Sequence, residues 1–130
     1  MSFNPRWIGK RAFLLLHEES LAQFGGARGL RDAGLLDSAL ARPRNIHAYN
    51  INSTIAELAA AYAFGLAKNH PFVDGNKRAA FLSIGLFLAI NGYRLTSIPL
   101  DAIHTMVRLA AGDLSEKTLA RLIAANSKKI

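Results

Sequence analysis

Residues 79–90 form the most apolar segment of the chain, with apolar side chains on nearly every side of the helix it would form. The segment is too short to span a bilayer, so it predicts a helix buried in the middle of a bundle. The chain has 130 residues, of which 51% are hydrophobic and 19% charged. That length and composition are typical of one globular domain, which we expect to span 1–130.

Apolar residues recur at helical spacing elsewhere, whereas the alternating runs that indicate strands are weak. The first predicted helix spans 8–24, carries Phe24 on its buried stripe and ends at Gly25-Gly26. A short second helix begins near Asp32, a suitable cap, and ends before Pro43. The segment 42–52 lacks a helical period, so we expect an exposed loop or flap there.

The third predicted helix is capped by Asn52 or Ser53 and reaches Lys68, and the fourth runs from Asn76 to a stop at Asn91-Gly92. Two more helices follow, over about 99–111, with Pro99 in the first turn, and 115–125, with Ser115 as the cap. These elements predict an all-α fold, a compact bundle of about six helices around the buried fourth helix.

The chain has no cysteine, which excludes disulfides and thiolate metal sites and favours a reducing compartment. The N-terminus lacks the pattern of a signal peptide, so we expect a soluble cytoplasmic protein without a membrane partner. The net charge of +7 indicates an anionic partner such as a nucleotide or an acidic protein. Nucleic acid is not the expected partner, because no block of consecutive basic residues occurs and aromatics make up only 8%.

The stretch with the strongest chemical pattern joins the third and fourth predicted helices and reads His70-Pro71-Phe72-Val73-Asp74-Gly75-Asn76-Lys77-Arg78. A helix N-terminus attracts anions, and Gly75 would let a phosphate approach the backbone. Lys77 and Arg78 oppose the helix dipole unless they meet such an anion. Asp74 could hold Mg²⁺, and His70 could accept a proton from a hydroxyl group.

Each residue also has a structural interpretation that the sequence leaves open. His70 could end a helix, Asp74 could belong to a turn, and Asn76 could be only an N-cap. Lys77 and Arg78 could point into solvent. The six polar or glycine positions lie within nine residues at one helix junction, and this density favours a functional site.

The stretch HPFVDGNKR resembles the motif of the Fic/Doc family, and the segments 29–43 and 69–95 resemble Doc-like toxins of that family. The resemblance implies the Fic/Doc fold and a catalytic base at His70. It implies a buried anchor at Phe72 and a magnesium ligand at Asp74. The other residues that it assigns would bind the nucleotide phosphates: Gly75, Asn76, Lys77 and Arg78. The flap at 42–52 would dock the target.

The family contains AMP transferases and kinases, and two positions favour the kinase group. AMP-transferring members have a glycine where this chain has Lys77 and an arginine where it has Phe81. Resemblance to the Doc-like kinases therefore implies transfer of the γ-phosphate of ATP, with Mg²⁺, to a Ser or Thr hydroxyl. The implied target is a translation factor such as elongation factor Tu, so that translation stops. AMP transfer to a protein hydroxyl is the alternative.

A toxin of this kind needs an inhibitor. The inhibitory helix of some family members has its nearest match here at Ser53–Glu57, which departs from the pattern at Leu58. We therefore expect a separate antitoxin protein, acidic and Phd-like, whose inhibitory part folds on binding. A non-catalytic basic helical module that binds nucleic acid is the rival from another class, and it would show steep salt dependence.

Overall fold

The computed structural model describes residues 4–96 and 102–130. Within these ranges the chain forms six helices and two short strands. The elements are α1 Lys10–Phe24, α2 Ala33–Tyr49, α3 Ile55–Asn69, α4 Asn76–Ile90, β1 Tyr93–Leu95, α5 Ala102–Ala111, α6 Glu116–Ala125 and β2 Ser127–Lys129. The predicted all-α class is confirmed. No helix in the described ranges is long and apolar enough to cross a membrane.

The buried central helix is α3, not α4 as the hydropathy predicted. Helix α3 packs against α2, α4, α5 and α6. Six of its 15 residues are alanines, and all side chains from Leu58 to Ala63 are fully buried. Helix α4 keeps Phe81, Leu82 and Leu86 half exposed. Small alanine side chains let several helices approach one axis, a geometric property that hydropathy does not measure.

The second helix does not end before Pro43, as predicted, but continues to Tyr49 with the proline inside it. A proline in a helix interior costs about 3 kcal/mol because it removes a hydrogen bond and crowds the preceding turn. Burial of Pro43 against the core offsets this cost. At this level α2 and α3 approach so closely that a Cβ on Gly65 would lie 3.2 Å from the Cα of Ala39.

The predicted flap is therefore wrong for most of 42–52, since only the turn that follows Tyr49 lies outside a helix. At this turn Tyr49 is 97% and Ile51 is 58% exposed. The cap of α3 is Thr54 rather than Asn52 or Ser53, because Thr54 and Glu57 form a reciprocal capping box.

The ends of the other helices agree closely with the sequence pattern. The Asp32 side chain accepts a hydrogen bond from the Leu35 N–H group and caps α2, and Ser115 caps α6. Helix α1 ends at Gly25 as predicted, but Phe24 is 61% exposed instead of buried. The predicted helix start at Pro99 lies outside the described residues.

The sequence pattern missed the antiparallel pair of β1 and β2, in which Arg94 lies opposite Lys128. Both strands contain only three residues, too few for an alternating pattern to stand out.

Candidate active site at the α3–α4 junction

The loop between α3 and α4 lies against the segment that leads into α2. Leu30 and Phe72 form an isolated antiparallel bridge. The backbone N–H groups of Arg31 and Asp32 both donate to the Pro71 carbonyl, at 2.8 and 3.1 Å. The Val73 N–H group donates to the Gly29 carbonyl at 3.0 Å. These bonds fix the loop from a part of the chain that is distant in sequence.

His70 ends α3 in the left-handed conformation, with φ 48° and ψ 56°. It is the one non-glycine residue with positive φ in the described part of the chain. Its ring is half-buried. Burial lowers the pKa of the imidazole, and the positive charges of Lys77 and Arg31 lower it further. His70 is therefore neutral at pH 7, the form that can accept a proton.

Phe72 lies beneath the loop and is 2% exposed. Its ring centroid is 6.2 Å from that of Phe13 and 3.7 Å from that of His17, with which it stacks. The Asn76 side chain holds the Phe72 backbone twice, accepting from its N–H group and donating to its carbonyl, both at 2.9 Å. The anchor expected at Phe72 is thus buried and clamped at both backbone groups.

Asn76 is the first residue of α4 rather than its cap, since Gly75 occupies the N-cap position. Because the Asn76 amide is engaged by Phe72, what this residue can offer an anion is its backbone N–H group. Gly75 has φ 77°, and a Cβ there would lie 3.1 Å from the Cε1 atom of His17. No side chain from residues 4–96 or 102–130 caps this helix N-terminus, so its N–H groups are available to a ligand.

The Asp74 carboxylate is exposed above the loop. It accepts hydrogen bonds from the Ala27 and Gly75 N–H groups at 3.2 and 2.9 Å. These two bonds lower the pKa of the carboxyl group, and the charge of Arg78 acts in the same direction. Asp74 is therefore ionised and held in place, with lone pairs left for a cation.

The six residues predicted to carry out catalysis or bind the nucleotide and metal all line one open cleft of about 540 Å³. Arg78 lies over the exposed ring of Phe24, with its guanidinium carbon 4.6 Å from the ring centroid. Phe24 and Ile103 form apolar parts of the cleft wall. The site residues that line it are His70, Asp74, Gly75, Asn76, Lys77 and Arg78. The interpretation of Lys77 and Arg78 as purely solvent-facing is wrong, because both are half-buried.

Two further residues belong to this site and were not predicted as part of it. His17 is 4% exposed beneath the loop. Its Nε2 atom is buried without a hydrogen-bond partner in the described part of the chain. Burial lowers its pKa, against the opposing effects of Glu18 and Asp74. Helical spacing of Phe13, His17 and Leu21 could have indicated that His17 faces inward.

The second missed residue is Arg31, whose Nε and Nη2 atoms donate to the carbonyls of His70 and Asn69. It lies 39 positions from His70 in the sequence, and no local pattern joins the two residues.

A profile described as the Fic/DOC family matches residues 7–88. A protein of Mycolicibacterium smegmatis called "Toxin Doc" is 44% identical over 75 residues, 57% of this chain and 58% of that protein, so the match covers less than two thirds of that protein's length. A protein of Escherichia phage P1 called "Protein kinase doc" is 30% identical over 115 residues, 88% of this chain and 90% of that protein.

Proposed function

Because the chain belongs to the Fic/Doc family, we propose that it is the toxin of a toxin–antitoxin system and transfers the γ-phosphate of ATP to a protein hydroxyl group. One observation carries the proposal: a neutral imidazole and a cationic, uncapped helix N-terminus face the same cleft. The first can remove a proton and the second can hold a polyphosphate.

The triphosphate would bind at the start of α4. The first N–H groups of the helix carry no side-chain cap and would donate to it. The missing Cβ of Gly75 instead makes room for His17 beneath the loop, and the phosphate-binding role of Gly75 would rest on its backbone. Lys77 and Arg78 would neutralise the phosphate charge from the first turn. In the absence of an anion these cations oppose the helix dipole, which gives a reason to expect one.

Asp74 fits the role of a magnesium ligand, because it is exposed, ionised and held by two backbone N–H groups. Among residues 4–96 and 102–130, no three His, Cys, Asp or Glu side chains cluster to hold a metal ion. A magnesium ion would therefore take Asp74 together with phosphate oxygens, which is the common arrangement in ATP sites. When bound, it would neutralise charge on the phosphates.

His70 would take the proton of the target hydroxyl on the ring nitrogen that faces the cleft. The hydroxyl oxygen then forms a bond to the γ-phosphorus, and the bond from that phosphorus to its bridging oxygen breaks. ADP leaves with the electron pair of that bond, and the phosphate ester stays on the target. Because the pKa of His70 is lowered, this base is available at neutral pH and is lost as the pH falls through that pKa.

Lys77 and Phe81 favour phosphate transfer over AMP transfer, since AMP-transferring relatives carry glycine and arginine there. The name of the phage P1 relative supports the same choice. Incubation with elongation factor Tu and ATP labelled at either the α or the γ position tests it. Label that moves only from the γ position supports the kinase. Label that moves only from the α position would contradict it and establish the AMP-transferring alternative.

The proposed target is a Ser or Thr of a translation factor such as elongation factor Tu, in the cytoplasm where translation occurs. The exposed Tyr49 and Ile51 at the turn after α2 are the part of the predicted flap that could still dock it. Expression of the wild type and of His70→Ala in a bacterium tests the toxic function. Equal growth at equal protein levels would contradict it.

The inhibitor would be a separate acidic, Phd-like antitoxin. The segment nearest to an internal inhibitory helix, Ser53–Glu57, is used differently here, because Thr54 and Glu57 cap α3. The net charge of +7 favours an acidic partner. Restored growth on co-expression with the antitoxin of the same operon tests this proposal. Steep salt-dependent binding of DNA or RNA by the isolated chain, unaffected by His70→Ala, would instead favour the nucleic-acid module.

A further inference from the structure

The end of α3 is held by one residue from outside the motif. Arg31 donates from Nε to the His70 carbonyl at 2.7 Å and from Nη2 to the Asn69 carbonyl at 2.8 Å. Its backbone N–H group donates to the Pro71 carbonyl at 2.8 Å. A single residue therefore binds three consecutive carbonyl groups, two of which are among the unpaired acceptors at the end of a helix.

These bonds determine the conformation of His70. The Asn69 carbonyl belongs to the peptide before the His70 Cα atom, and the His70 carbonyl belongs to the peptide after it. When both peptides are fixed, φ and ψ of His70 are fixed, and so is the direction of its Cβ atom. The left-handed conformation is sparsely populated for residues other than glycine and persists only where surrounding contacts hold it.

Pro71 also influences the backbone conformation of His70. A residue before proline is disfavoured in the right-handed helical region, so α3 cannot simply continue through His70. The chain must turn there, and the carbonyls on both sides of the turn need donors. The planar guanidinium of arginine offers two parallel N–H groups, which a lysine cannot imitate.

We propose that Arg31 is a positioning residue of the phosphotransfer site, which holds the His70 imidazole towards the cleft by fixing the two peptides that flank it. The inference rests on the proposed function for its effect on turnover, but not for its effect on the imidazole. The charged groups that line the cleft with His70 are Asp74, Lys77 and Arg78, and Arg31 lies beside it before α2. Lys77 and Arg31 lower the pKa of His70 by their positive charge. Loss of the Arg31 charge therefore raises the pKa of His70.

The experiment compares Arg31→Met, Arg31→Lys and the wild type. Small displacements of reacting groups cost up to about a hundredfold in rate, so we expect kcat to fall at least about tenfold in both variants. KM for ATP should stay within about twofold, because Arg31 is not part of the phosphate site. Arg28→Met is the matched control, since Arg28 lies in the same segment and pairs with Glu18 at 2.7 Å. It should behave like the wild type.

Titration of the His70 imidazole, followed by NMR, adds a measurement that needs no turnover. Arg31→Met should move the midpoint to higher pH, and the acid limb of kcat/KM should move with it. Arg31→Lys keeps the positive charge but lacks the two parallel N–H groups of the guanidinium. The midpoint of the His70 titration should therefore remain at the wild-type value in this variant, while kcat is low. A purely structural end cap would leave kcat at the wild-type value at temperatures where the variant is folded, even if the lost charge moved the titration.

Wild-type kcat in Arg31→Met would overturn the proposal whether or not the His70 titration moves, because the lost charge can shift the titration by itself. If Arg31→Met does not fold, Arg31→Lys decides: a low kcat with the wild-type titration supports the proposal, and a wild-type kcat overturns it. If the wild type transfers no phosphate, the proposed function fails. The proposal then stands or falls on whether the contacts of the His70 ring with the residues that line the cleft, measured by NMR, are lost in Arg31→Lys.

Discussion

The N-terminus of α3 is capped by residues that are neighbours in the sequence, whereas its C-terminus is held by a residue 39 positions away. At the first end, the Glu57 N–H group donates to the Thr54 hydroxyl at 3.1 Å, and the Glu57 carboxylate accepts from the Thr54 N–H group at 2.8 Å. At the other end, His70 adopts positive φ and depends on Arg31.

The two ends also differ in charge. Glu57 lies in the first turn of α3, where a negative charge favours the helix dipole. At the start of α4, beyond the other end, Lys77 and Arg78 have the sign that opposes the dipole. One end of α3 is therefore stabilised by local contacts. The other end accepts unfavourable conformation and charge, as functional sites commonly do.

The largest expected effect at the functional end is that of His70→Ala. Loss of a general base should lower kcat about 10²–10⁴-fold, with little change in KM for ATP. Kinetics with labelled ATP and the purified target measure this fall in kcat.

The positive φ of His70 also predicts a difference in stability between two variants, because glycine tolerates positive φ and alanine does not. Unfolding of His70→Gly should therefore need about 1 kcal/mol more than that of His70→Ala. Equal stability of the two variants would remove the contrast between the ends of α3.

The next largest effect on activity is expected for Lys77→Met. Loss of a charged contact to phosphate costs about 1.5–3 kcal/mol, which corresponds to roughly a tenfold to hundredfold fall in kcat/KM. The free energy of unfolding should rise by a few tenths of a kcal/mol, because an unfavourable charge leaves the first turn of α4. Lys117→Met is the matched control, since Lys117 occupies the second position of α6. It should change stability in the same direction and leave turnover unaffected, and a parallel loss of activity would contradict the assignment of Lys77.

Thr54→Ala tests the N-terminus of α3, which the local capping box stabilises. Loss of an N-cap hydroxyl should lower the free energy of unfolding by about 1 kcal/mol, and Thr54→Ser should restore most of it. Chemical denaturation measures both variants. We expect kcat to remain at the wild-type value at temperatures where the protein is folded. A fall in kcat that exceeds the loss of folded protein would show that the two ends of α3 are coupled.

The smallest expected effect concerns His17 under the loop. Burial lowers its pKa below the ordinary value of 6.5, so the unfolded chain binds more protons than the folded one below that pH. Stability should therefore decline as the pH falls from 6.5 through the lowered pKa. The His17→Gln substitution, made in a His70→Ala background, should reduce this decline, which denaturation at several pH values can measure. A pH dependence identical with and without His17 would contradict its burial in the neutral form.

Local patterns predicted much of this protein. Asp32, Ser115 and Gly25 mark helix ends in the structure, because caps and stops act through residues a few positions away. The site residues from His70 to Arg78 were predicted from their density at one helix junction, and the structure places them around one cleft. Their catalytic and ligand-binding roles, ATP, Mg²⁺ and the single domain over 1–130 stay predictions.

Two of the errors have the same cause, the dominance of contacts distant in sequence. Pro43 should end a helix by its local chemistry, yet α2 continues because the proline packs against the core. Phe24 fits an apolar stripe but faces the cleft beside Arg78.

Side-chain types and short spacings account for the helical class, most helix ends and the chemistry gathered at the junction of α3 and α4. They could not establish that α3 is the central helix, that His17 lies beneath Phe72 or that Arg31 holds the end of α3. These features arise when residues far apart in the chain are packed together, where close approach and burial outweigh local preference.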